Sequence, residues 1–170
     1  MGKRSDFERL PRDFYPTPYS AVLPLLPFLS PNTTFIEPCA GDGRLIGHLE
    51  LHGHKCVAAY DIEPQAPGIE KRDILFFGSF TPEPCDCIIT NPPWDRESLH
   101  KIIELFRYRA TTWLLYDSDW MFTKQAALFK RYCSKVVPIG RVSWMENGTS
   151  GMDNCCWYQF IDAECETILY

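Results

Sequence analysis

The sequence predicts an α/β fold: a mixed, mostly parallel sheet with helices on both faces, finished by a C-terminal antiparallel hairpin. Three observations lead there. Short apolar runs, of the kind that form strands buried on both faces, alternate with amphipathic stretches. Pro and Gly punctuate the chain between the two kinds of segment. The last two apolar runs are joined only by Glu146–Asn154, too short for a crossover helix, so they must pair antiparallel.

The elements follow in order. Pro18 to Leu29 reads as a helix that Pro24 and Pro27 kink or divide. Thr33 to Glu37 is a short buried strand, Arg44 to Leu51 a short helix, and Lys55 to Tyr60 the second strand. Cys87 to Thr90 and Thr112 to Tyr116 repeat the strand pattern. Between them, Leu99, Ile102, Ile103 and Phe106 recur at helical spacing and give a helix over Glu97 to Tyr108. Trp120 to Tyr132 predicts a further helix, and Val136 to Met145 with Cys155 to Ile161 form the hairpin. With a third strand between Gly43 and Asn91, the sheet has about seven strands, one of them antiparallel. A chain of 170 residues without repeat or linker is expected to be a single domain over 1–170.

Composition narrows the classes. A hydrophobic fraction of 45% and a charged fraction of 23% are those of a globular protein. No apolar run reaches the ~20 residues that span a bilayer, and the basic start lacks the apolar stretch of a signal peptide, so a cytoplasmic location is expected. The eight cysteines are irregularly spaced with no C-x-x-C pair, which favours free thiols over disulfides or zinc. The net charge of −5 argues against wholesale coating of nucleic acid but leaves room for a local basic face.

The segment Phe35 to Leu45 runs from a buried strand through a Gly-rich turn, Gly41-Asp42-Gly43, into a helix. Glycines there let the backbone adopt φ > 0 and approach a ligand closely. The same design opens dinucleotide-binding domains, but Gly47 falls one place late for that fingerprint. Glu37 at the strand end would also repel a pyrophosphate and welcome an ammonium group. Asp61, closing the second strand, is placed to accept both hydroxyls of a ribose, with Ile62 beside it to pack on an adenine ring. Asp73 is spaced either to meet the adenine amine or to cap a helix.

The strand Cys87–Thr90 runs directly into Asn91-Pro92-Pro93-Trp94. Two prolines after a buried strand stiffen the chain and remove two N–H donors, so the Asn91 amide and nearby carbonyls are held rigidly at the strand's carboxyl end. An aryl amine is a poor nucleophile because its lone pair is delocalised into the ring. Accepting its two N–H bonds on the Asn91 side-chain oxygen and the Pro92 carbonyl pushes the nitrogen towards tetrahedral geometry, while Trp94 stacks on the base.

Asn91-Pro92-Pro93-Trp94 resembles the (D/N/S)-P-P-(Y/F/W) motif of amino-group methyltransferases, and Glu37 to Gly43 resembles their first S-adenosylmethionine (SAM) motif. Asp13-Phe14-Tyr15-Pro16-Thr17-Pro18 is similar to the segment that completes the SAM pocket. Gly140-Arg141-Val142-Ser143-Trp144, Ser150-Gly151-Met152-Asp153-Asn154 and Trp157-Tyr158 are similar to small phage-type DNA adenine N6-methyltransferases. The resemblance spans nearly the whole chain. It implies a Rossmann-like class I methyltransferase fold and methyl transfer from SAM to an exocyclic nucleobase nitrogen, adenine N6 in DNA. It also implies Tyr15, Thr17, Glu37, Pro38, Ala40, Gly41, Gly43, Asp61, Ile62, Asp73, Ile74 and Asn91 around SAM, Asn91, Pro92, Pro93 and Trp94 as the catalytic set, and no metal. No target-recognition domain fits in the length. Reading of DNA would fall to the loops Trp94–Ser98, Asp117–Lys124 and Met145–Asn154, to scattered cations (Lys3, Arg4, Arg9, Arg12, Lys124 and Arg141), or to a second copy or partner subunit.

Rival readings stay open. The motif also serves RNA bases and protein glutamine amides, and the fold also occurs in inactive scaffold subunits. His48 and His52, four apart on a helix with His54 beyond, form either a metal pair or an exposed helix face. Pro38-Cys39 and Pro84-Cys85 look like the cysteine nucleophile of cytosine C5 methylation, but neither stands where Asn91 does. Most tryptophans are expected in the core or the pocket wall, with Trp120 and Trp144 the two expected to touch substrate.

Overall fold

The computed structural model describes residues 14–76, 83–144 and 153–170, which form one eight-stranded mixed sheet. The strands are β1 (Thr34–Glu37), β2 (Lys55–Asp61), β3 (Glu70–Lys71), β4 (Cys87–Thr90), β5 (Thr111–Asp117), β6 (Cys133–Arg141), β7 (Asn154–Phe160) and β8 (Ile168–Leu169). Their spatial order is β3-β2-β1-β4-β5-β7-β6-β8. β7 runs antiparallel to β5 and β6, and every other pairing is parallel.

Helices α1 (Tyr19–Val22), α2 (Arg44–Glu50), α3 (Arg96–Phe106) and α4 (Ala127–Lys130) cover the sheet. Alternation along the central strands divides the core into two layers. Ile36, Ile88, Leu114 and Tyr116 meet Leu99, Ile102, Ile103 and Phe106 of α3 on one side. Phe35, Ile89, Trp113 and Leu115 meet Ala21, Val22, Leu45 and Leu49 from α1 and α2 on the other. Both faces of β4 and β5 are therefore buried, which is why those strands are continuous apolar runs in sequence. Among the described residues, no helix is long and apolar enough to cross a membrane.

The sheet has eight strands where about seven were expected. The extra strand β8 has two exposed residues, too short and too solvated for any periodicity, and β3 shares that character. The segment before β1 divides as its prolines predict, into α1 and a 3₁₀ turn over Leu26–Phe28. The single helix expected over Trp120 to Tyr132 is instead a 3₁₀ turn, Ser118–Phe122, followed by α4. Thr123 separates them: its hydroxyl donates to the Trp120 carbonyl (2.8 Å) and accepts from the Ala126 N–H (3.3 Å), offering the backbone a turn in place of a helix. The first hairpin strand starts at Cys133 and ends at Arg141; its expected end at Met145 lies outside the described residues.

Trp157 ties the hairpin to the opposite end of the chain. It is fully buried, and its indole N–H donates to the Ala21 carbonyl of α1 at 2.8 Å. Replacing it with Ala leaves a large cavity and an unpartnered carbonyl, so Trp157→Ala is expected to destabilise the fold by about 3–5 kcal/mol in urea denaturation.

Candidate functional site

β1 lies between β2 and β4, and this is where the strand order reverses. The chain leaving β1 enters α2 on one face of the sheet, and the chain leaving β4 enters α3 on the other. Loops that diverge in this way open a crevice at the carboxyl ends of the strands, the usual ligand position in open α/β sheets. A cavity of about 660 Å³ occupies it.

One wall is the turn after β1. Gly41 and Gly43 both take left-handed backbone (φ 52° and 79°), and Gly43 is the N-cap of α2. A Cβ on Gly41 would stand 2.8 Å from Phe14 Cε2, so the position excludes a side chain on space as well as on φ. Asp61, at the end of β2, locks this turn: Oδ2 accepts the Gly41 N–H and Oδ1 the Glu63 N–H, both at 2.7 Å. Gln65 N–H donates back to the Gly41 carbonyl at 2.9 Å. Two hydrogen bonds use half of the lone-pair capacity of a carboxylate, which leaves Asp61 able to accept from a ligand. Glu37, Pro38, Ala40 and Gly41 all line the cavity. Gly43 is not among the residues that line this cavity.

Glu37 sits at the bottom of this wall with 1% exposure, and its Oε2 has no hydrogen-bond partner. Burial, then the nearby Asp61 and Asp42, hold its carboxyl well above the usual range. Asp42, Asp61, Glu63, Asp73 and Asp95 also line the cavity, against the single lining cation Arg72 among the described residues. The lining favours a cationic ligand and opposes a pyrophosphate.

The second wall follows β2 and β3. Ile62, Asp73 and Ile74 line the cavity, and Asp73 Oδ1 also accepts the Leu75 N–H at 2.9 Å. Asp73 therefore caps a 3₁₀ turn and also lines the cavity. Asp42, Glu63, Gln65, Arg72 and Ser98 were not singled out in sequence. Asp42 was signalled by its place between the glycines, but the others are polar residues whose type and spacing distinguish nothing.

The third wall brings Tyr15 and Thr17 beside the end of β4. Asn91 Nδ2–H donates to the Tyr15 carbonyl, and Asn91 Oδ1 accepts the Trp94 indole N–H, each at 3.1 Å. Asn91 and Pro93 line the cavity, whereas Pro92 is buried beneath it. Trp94 stands beside the cavity, half-buried, with its ring 5.6 Å from Tyr116 and edge-on to Trp144 at 5.4 Å. Asp95 then caps α3 by accepting the Ser98 N–H at 2.8 Å. Gly41 and Asn91, expected around one crevice at the ends of adjacent strands, line this same cavity.

Other expectations change. Trp120 faces the core, 2% exposed, with its N–H on His100 Nε2 at 3.2 Å, so it is not placed to touch a substrate. Aromatic neighbours on α3, α4 and β7 surround it: His100, Phe129 and Tyr158. His48 and His52 both pack on Tyr19 of α1, whose hydroxyl lies 2.8 Å from His52 Nε2. Cys39 lines the cavity, but burial pushes its thiol pKa far up, the wrong direction for a thiolate nucleophile. Lys124 and Arg141 are exposed. Lys3, Arg4, Arg9, Arg12 and Asp13, most of the loop Met145–Asn154, and Ser150, Gly151 and Met152 of the tail pattern lie outside the described residues.

No family model and no curated protein matches the sequence. Solved structures do match in fold. A type I restriction-modification methyltransferase subunit from Streptococcus thermophilus superposes with a TM-score of 0.57 at 12% identity, covering 84% of this chain and 43% of that one. A dimethyladenosine transferase from Plasmodium falciparum gives 0.52 at 14% identity, covering 84% and 59%. A SAM-dependent O-methyltransferase from Thermotoga maritima gives 0.52 at 12%, covering 86% and 66%. The chain therefore spans less than half of the restriction-modification subunit and under two thirds of the dimethyladenosine transferase. At identities of 12–14% the likeness is one of architecture: the chain has the Rossmann-like fold of class I methyltransferases.

Proposed function

We propose that the protein transfers a methyl group from SAM to an exocyclic amino nitrogen of a nucleobase, adenine N6 in DNA. The observation that carries this reading is the rigid Asn91 amide at the carboxyl end of β4, lining the same cavity as the Gly41 turn and Asp61. The donor set fits the cofactor on three counts. The buried Glu37 Oε2 without a partner suits an ammonium group, the acidic lining suits a cationic sulfonium, and Asp61 retains acceptor capacity for ribose hydroxyls. When bound, SAM supplies an electrophilic methyl group.

The chain's own residues would do the rest. Asn91 Oδ1 accepts an N–H bond of the target amine and draws its nitrogen out of conjugation; Pro92, expected as the second acceptor, does not line the cavity. Trp94 provides an aromatic wall for an extruded base, a contact worth ~1–3 kcal/mol where bases stack on aromatic rings. Six cavity carboxylates would repel a nucleic-acid backbone, so phosphate contacts belong outside this rim. No separate recognition domain is proposed within the 170 residues, and sequence reading falls to the rim loops or to a second subunit. The adenine-modifying and restriction-modification neighbours favour nucleic acid over a protein amide as the acceptor.

Incubating the protein with labelled SAM and DNA, RNA or protein, then digesting the product, is expected to yield N6-methyladenine from DNA. Label in RNA or in glutamine would replace the substrate assignment, and none in any acceptor would end the reading. Asn91→Ala is expected to abolish most turnover while SAM affinity by calorimetry stays near wild type; turnover within about threefold of wild type would remove Asn91 from its role. Glu37 gives a pH signature. Its folded pKa is raised, so the stability it contributes to the ligand-free protein is full below the ordinary glutamate pKa and is lost as pH rises through the folded value. SAM binding, which uses the carboxylate, is expected to strengthen over that same rise. Glu37→Gln is expected to flatten both slopes in thermal melts and calorimetry.

A further inference from the structure

The Asn91 amide has a partner at each end, and the two partners differ in kind. The Tyr15 carbonyl can only accept, and the Trp94 indole N–H can only donate. An amide flipped by 180° would set its oxygen against the Tyr15 carbonyl and its NH₂ against the indole N–H, losing both bonds and creating two repulsions. The network therefore admits one orientation of the amide. Phe and Tyr, the other aromatic residues at the fourth position of the motif, have no ring N–H and cannot make this contact.

Location gives the contact its meaning. Tyr15 belongs to the wall beside the Gly41 turn, where Phe14 lies against Gly41. Trp94 is outside the cavity lining, wedged against Tyr116 and Trp144, and Trp144 also packs on the Tyr15 ring at 6.3 Å. The Tyr15 carbonyl holds Asn91 Nδ2 and the indole N–H holds Oδ1, so Trp94 sets the direction of the amide oxygen. The indole bond uses one of its two lone pairs and leaves the other for an incoming N–H. Tyr116 and Trp144 hold the indole plane in turn, so the amide orientation is referred back to the sheet.

We propose that Trp94 is a positioning residue whose indole N–H orients the Asn91 side-chain oxygen, a role separate from any stacking on the substrate. It rests on the proposed reading of Asn91 as the acceptor for the target amine. The orientation acts only on the reacting nitrogen, so losing it should slow the chemical step and leave cofactor and substrate binding intact.

The test uses Trp94→Phe, which keeps an aromatic ring and deletes the N–H, beside Trp94→Ala, which deletes both. With the acceptor found by the labelling experiment, Trp94→Phe is expected to lower kcat at least tenfold with KM for the acceptor and Kd for SAM within about twofold; Trp94→Ala is expected to raise KM as well. In an Asn91→Ala background, Trp94→Phe is expected to have no further effect, because the group it orients is absent. Full kcat in Trp94→Phe, or a multiplicative loss in the double variant, would overturn the proposal. A readout independent of activity accompanies these. The Trp94 indole ¹H–¹⁵N signal of the ligand-free protein is expected to exchange slowly with solvent and to shift, with faster exchange, in Asn91→Leu. An unchanged indole signal in folded Asn91→Leu would overturn the proposal whatever the acceptor is, whereas a shifted signal in a protein that methylates nothing would fault only the reading of the reaction.

Discussion

A parallel strand leaves its carboxyl end pointing at the same edge of the sheet as its neighbours, and in this chain two adjacent strands, β1 and β4, send their connections to opposite faces. The gap between those connections is a geometric consequence of the strand order, and every residue of the site is placed by it. The glycine turn can pass close to the cavity because it leaves β1 towards α2. Asn91 can face that turn because the prolines carry the chain off β4 the other way, until Asp95 caps α3 and ends the divergence.

The site is held against its own electrostatics. A carboxylate as buried as Glu37 is disfavoured in its charged form, and Asp61 and Asp42 add repulsion in the same direction. The fold tolerates this because hydrophobic layers on both faces of the sheet secure β1 and β4 independently of the cavity. Asp61 relieves part of the strain by placing its charge on backbone N–H groups of the turn it supports. The surplus negative charge then acts as a selectivity device, attracting cationic ligands and disfavouring phosphates.

Aromatic packing connects this polar centre to the core. Trp94 touches Tyr116 of β5, and Tyr116 meets Trp120, which in turn contacts Tyr158 and Phe160 of β7. The Tyr158 hydroxyl donates to the Asp117 and Ser118 carbonyls at 3.0 and 3.1 Å, fixing the turn that follows β5. The antiparallel hairpin thereby supports the rim beside Asn91, although it contributes none of the described residues that line the cavity.

By itself the sequence determined the strands buried on both faces, the amphipathic face of α3, the hairpin, and the residues at three strand ends, Glu37, Asp61 and Asn91. Each rests on local information: a run of apolar residues, a helical period, or a motif whose chemistry is carried by adjacent positions. Tertiary structure alone decided the rest. β3 and β8 are two-residue strands that exist because neighbouring strands offer them hydrogen bonds, and nothing in Glu70–Lys71 or Ile168–Leu169 announces it. Trp120 lies in the core because Tyr158 and Phe160 of β7, remote in sequence, pack around its ring. The orientation of the Asn91 amide depends on a carbonyl 76 residues earlier in the chain, a pairing that leaves no trace in local pattern because it is made only when the cavity walls close.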